Sequence, residues 1–95
     1  MATHFYYYPT NGVFYRFTIS TEDGVHVMRH DILLHYDSQW RKFAVYRRAK
    51  FSEIMQLLNG KIKTLTRLGY LPVEAEDVPR ATDPENEDYA EKEKK

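Results

Sequence analysis

The residues of this 95-residue chain best equipped for chemistry are His26, His30 and His35 with Asp31, and the aromatic and basic side chains gathered between Trp40 and Arg48. Histidines four apart on a helix share a face and suit zinc, which takes its ligands at about 2 Å. On a strand, His26 and His30 stand about 13 Å apart, too far to meet on one ion. The strand reading is preferred below, so no metal site is expected. His35 and Asp37 lie together without a partner nucleophile. There is no glycine-rich phosphate loop, no serine elbow and no cysteine. No catalytic residue and no cofactor is expected, and the chain is not read as an enzyme.

Binding chemistry is better represented. Trp40, Lys42, Tyr46 and Arg48 alternate along one side of a strand, Arg47 adjoins them, and Phe14 and Arg16 can join from a neighbouring strand. Aromatic planes stack bases for about 1–3 kcal/mol each, while Lys and Arg follow phosphates. The first functional expectation is therefore single-stranded nucleic acid bound by Phe14, Arg16, Trp40, Lys42, Tyr46, Arg47 and Arg48. The alternative is a protein-interaction module, including a homodimer, in which the same face buries against another chain. Tyr, Phe and Trp are favoured in strands for packing alone, and eight tyrosines suit a surface with one wet end.

The elements that must position these residues follow from pattern. His4–Tyr8 is strand-like and ends at Pro9-Thr10-Asn11-Gly12, a hairpin signal. Val13–Ser20 alternates, with Val13, Tyr15, Phe17 and Ile19 on one side. Asp23-Gly24 marks the next turn. From Val25 to about Tyr36 the phase slips near Arg29-His30-Asp31, which a β-bulge would explain; a helix over 26–36 is the alternative. Trp40–Arg48 is a fourth strand, with Phe43 and Val45 facing away from Trp40 and Tyr46. A helix then runs from an N-cap at Ser52 to Gly69, with Ile54, Leu58, Ile62 and Leu65 on its apolar stripe and Met55, Leu57 and Leu68 beside it. Asn59-Gly60 interrupts it, as a kink or as a break into two short helices.

These readings combine into an α+β domain over residues 1–73: a four-stranded antiparallel meander with one amphipathic helix packed on one face. Val13, Tyr15, Phe17, Ile19, Val27, Phe43 and Val45 are expected beneath the helix. Residues 1–73 carry ten Lys/Arg against five Asp/Glu, and residues 74–95 carry four against nine. The second stretch lacks the apolar residues that offset ordering entropy, so 74–95 is expected to be a disordered acidic tail. No apolar run is long enough for a membrane span, and the start lacks a secretory pattern; a cytoplasmic protein is expected. In element order alone, residues 4–68 resemble the dimeric transcriptional coactivators that bind single-stranded DNA. That resemblance implies a dimer and a sheet-borne nucleic-acid surface.

Overall fold

The computed structural model describes residues 2–84. Its elements are β1 (Ala2–Tyr8), β2 (Val13–Glu22), β3 (Val25–Leu33), β4 (Arg41–Arg48), α1 (Phe51–Leu68) and β5 (Leu71–Val73), followed by a 3-10 turn at Ala75–Asp77. All pairings are antiparallel, in the order β4-β3-β2-β1-β5. The α+β class and the meander are as expected, but the sheet has five strands rather than four. Leu71–Val73 is too short to show a period, and its Pro72 is tolerated because β5 is an edge strand.

Local chemistry accounts for the connections. Asp23 and Gly24 both take positive φ (54° and 76°), the geometry of a two-residue hairpin turn with the right twist. Helix α1 runs unbroken through Asn59-Gly60. Its N-cap is Lys50 rather than Ser52, because the Glu53 carboxylate reaches back to accept the Lys50 backbone N–H at 3.3 Å. Gly69 closes the helix at φ 104°, and the Tyr70 N–H donates to the Leu65 carbonyl at 2.9 Å. No helix among the described residues is long and apolar enough to cross a membrane.

The helix covers one sheet face. Ile54, Leu58 and Leu65 pack there with Tyr6, Phe17, Ile19, Met28, Ala44 and Tyr46. Leu68, expected beside that stripe, is the last residue of the helix and is 58% exposed. Two strand faces differ from expectation. Strand β3 does not slip: Met28 and His30 face the helix while Val27, Asp31 and Leu33 face away, and all five are buried. A strand covered on both sides reads as a continuous run, not an alternation. The irregularity lies in β4, where Ala44 opposes His30 and Lys42 opposes Asp31, leaving Phe43 between them as a bulge. Ala44 and Tyr46 therefore face the helix, and Val27 and Val45, expected beneath it, lie on the reverse face.

The reverse face has its own cover. Phe14, Leu33 and Trp40 form a second apolar cluster, against which Phe5, Tyr7, Val73, Val78 and Ala81 pack. Residues 74–84, expected to be disordered, form a strap from β5 to the start of β4. It ends in a parallel bridge between Gln39 and Thr82: the Trp40 N–H donates to the Thr82 carbonyl at 2.9 Å, and the Thr82 N–H to the Ser38 carbonyl at 3.0 Å. Val78 and Ala81, the Thr82 bonds and the Arg16–Asp83 pair join it to the sheet. The rest of the expected tail, 85–95, lies outside the described residues.

Candidate functional site

The residues expected to bind a partner are split between two faces and two ends of β4. Phe14, Arg16, Trp40 and Lys42 gather on the reverse face. Tyr46 lies under α1 at 6% exposure, with the Lys61 ammonium 4.5 Å from its ring centre. Arg47 is exposed and Arg48 half-buried at the far end of the strand. Trp40 and Tyr46 share sequence parity, yet the bulge at Phe43 turns them to opposite sides.

On the reverse face the aromatic cluster is sealed. Trp40 is 4% exposed and tilts against Phe5 at 6.3 Å, while Phe14 lies 4.6 Å from Tyr7. Arg16 holds this face together. Its Nε and Nη2 donate to Oδ2 of Asp31 at 3.1 and 2.8 Å, its Nη1 donates to Asp83 at 3.0 Å, and its guanidinium stands 4.4 Å from the Trp40 ring centre. Asp31 is 1% exposed. A buried carboxylate of this kind persists because charged hydrogen bonds replace its hydration. Of the rings expected to stack on bases, Trp40 and Phe14 are thus residues of a small second core, and Tyr46 belongs to the core under α1. Three tyrosines also engage one another, with Tyr70 4.7 Å from both Tyr8 and Tyr15.

The outer edge of β4 lies at one boundary of the sheet, opposite β5. The sheet order puts this eight-residue strand at the boundary, so its outward N–H and C=O groups face no further strand among the described residues. Its side chains include Arg41, Lys42, Arg47 and Arg48, with exposed Phe43 at the bulge. Arg41 donates to Asp37 from Nε at 2.6 Å. A shallow cleft of about 410 Å³ lies at the start of this edge, between residues 37–42 and Pro84, where the strap leaves the sheet.

From the middle of β3, Arg29 pairs through two nitrogens with Glu22 at the end of β2, and that hydrogen bond holds the Glu22 carboxyl below its ordinary value. Sequence reasoning weighed Asp31 only beside the histidines as a metal ligand and did not single out Thr82 or Asp83.

No group of three His, Cys, Asp or Glu among the described residues converges on a point that would hold a metal ion. The element order resembling single-stranded DNA-binding coactivators is extended here by β5 and the strap. Compared with family models, curated proteins and solved structures, the chain matches none.

Proposed function

We propose that the domain is a non-enzymatic protein-interaction module whose β4 edge takes up an extended acidic segment. The observation that carries this reading is the seating of the chain's own residues 81–83. Thr82 adds to the sheet beside Gln39 through backbone hydrogen bonds, and Asp83 reaches Arg16. Strand addition uses backbone bonding for affinity and side-chain chemistry for choice. The same two ingredients continue along β4, as an outward backbone edge and four basic side chains. Burial of Trp40 and Tyr46 favours this reading over base stacking, which needs open ring faces.

The test uses the full-length chain with Glu85, Glu87, Asp88, Glu91 and Glu93 replaced by Gln or Asn, so that its own acidic residues do not compete. A fluorescein-labelled peptide of alternating Thr and Glu should bind, with affinity that falls as salt rises. The Arg41→Glu/Arg47→Glu variant should bind about tenfold more weakly, and alternate N-methylation of the peptide should abolish binding. Oligothymidylate should leave Trp40 emission unchanged. Failure of the peptide to bind, or binding indifferent to N-methylation, overturns strand addition. Oligothymidylate binding that quenches Trp40 returns the nucleic-acid reading.

A further inference from the structure

Two valines on the reverse face are buried where the strap, as far as Pro84, gives them no cover. Val27 and Val45 are 1% and 0% exposed and face away from α1. Among the described residues they belong neither to the cluster beneath the helix nor to the Phe14, Leu33 and Trp40 cluster beneath the strap. Val27 opposes Arg47 and Val45 opposes Arg29, so the two valines are diagonal neighbours on adjacent strands. Val45 stands on an edge strand, with a neighbouring strand on one side only among the described residues. An apolar side chain so placed loses its last exposure when something lies across it. Arg29 reaches toward the end of β2, where it pairs with Glu22, and Arg47 is exposed.

The strap is aimed at this spot. Thr82 bridges Gln39 in the parallel sense, so the chain beyond it sets out in the direction of β4. The Gln39 side-chain amide donates to the Asp83 carbonyl at 3.2 Å, and Pro84 shares a cleft with Lys42 at the start of that strand. At about 3.3 Å per residue, the chain from Pro84 to Tyr89 spans about 17 Å, against roughly 10 Å from Lys42 to Val45. Tyr89 is the one aromatic residue after Pro84, and Glu85, Glu87, Asp88, Glu91 and Glu93 surround it. Strand β4 carries the opposite charge, in Arg41, Lys42, Arg47 and Arg48.

We propose that residues 85–93 continue the strap along β4 of the same chain, seating Tyr89 over Val45 and Val27 while its acidic neighbours face the basic side chains of β4. The proposal rests on the two valines and the heading of the strap, and it does not depend on uptake of an outside peptide at the β4 edge.

The experiment follows the valine methyl groups of the isotopically labelled full-length chain by NMR. Nuclear Overhauser contacts should join the Tyr89 ring protons to the methyls of Val45 and Val27. Tyr89→Ala should abolish them and shift both valine signals, while the methyls of Ile54 and Leu58 under α1 stay in place. Replacing the five acids by Gln or Asn should weaken the same contacts, and so should added salt. In a mixture of labelled and unlabelled chains, no contact should cross from one chain to another. Absence of Tyr89 contacts at both valines, valine signals unmoved by Tyr89→Ala, or contacts that arise only between chains would each overturn the proposal, the last in favour of a second copy as the occupant.

Discussion

The two faces of this sheet bury similar rings by different means. Under α1, Phe17, Met28, Ile54 and Leu58 are at most 1% exposed and meet through apolar contact alone. On the reverse face, Phe14, Leu33 and Trp40 lie beneath a strap whose grip is largely polar: Arg16 between Asp31 and Asp83, and a ladder at Thr82. An apolar layer resists change roughly in proportion to buried area. A polar latch depends on a few groups and on what surrounds them, so single substitutions should separate the two faces.

The largest effect is expected at Asp31. Asp31→Ala leaves Arg16, itself 16% exposed at the side chain, with the exposed Asp83 as its one acidic partner among the described residues. Removing one member of a buried ion pair costs about 3–5 kcal/mol, measurable as a lowered urea midpoint. Replacing both members, as Arg16→Met with Asp31→Leu, should recover most of that loss, because no charge is then buried unpaired. A double variant as unstable as Asp31→Ala would show that the pair stabilises through more than mutual compensation.

The helix face holds one polar exception, and it sets the next prediction. His30 has a folded pKa of about 3, below the usual histidine value near 6.5. Between those values the unfolded chain binds the extra proton, so stability rises with pH across this window. The His30 contribution is complete above about pH 6.5 and is lost as pH falls, by about 1.4 kcal/mol per unit. Glu22, whose folded pKa lies below its ordinary value, adds loss of the same sign only near and below the carboxylate range. Urea unfolding at pH 6.5 and 5 should therefore show a slope that His30→Phe removes. The same variant should gain about 1 kcal/mol at pH 7, since an unpaired buried polar ring is replaced by an apolar one of similar shape. An unchanged pH slope in His30→Phe would mean that the imidazole finds a partner in solution.

The contrast between faces also explains what the residues disclosed in advance. Hairpins at Asn11-Gly12 and Asp23-Gly24, and the stripe of α1, rest on local rules that no tertiary contact overrides here. The orientation of Trp40 and Tyr46 does not, because one extra residue at Phe43 reverses the parity that alternation assumes. Met28, His30 and Asp31 hid the phase of β3, since burial on both sides removes the polar positions that mark a face. Residues 74–84 carry a disorder-like composition, yet Val78, Ala81, Thr82 and Asp83 find docking points made by distant strands. Such points exist only after the sheet has formed. Of the candidate site, the basic character of β4 was legible; the open edge was not, because strand order is a property of the assembled sheet.

The smallest expected effect sharpens the comparison most. Asp83 is 79% exposed at its side chain, so its pair with Arg16 is worth roughly 0.5 kcal/mol or less in water. Asp83→Asn should barely move the global unfolding midpoint. It should act instead on opening of the strap, a local event that leaves α1 and its core in place. Trp40, the single tryptophan, lies under this strap and gives a clean signal. Acrylamide should quench Trp40 more readily in the variant, and the Thr82 amide, bonded to the Ser38 carbonyl, should exchange faster with solvent. Amides in the middle of α1 should exchange as before. Equal acceleration at Thr82 and in α1 would mean that the two faces open together, and the distinction between an apolar layer and a polar latch would fail.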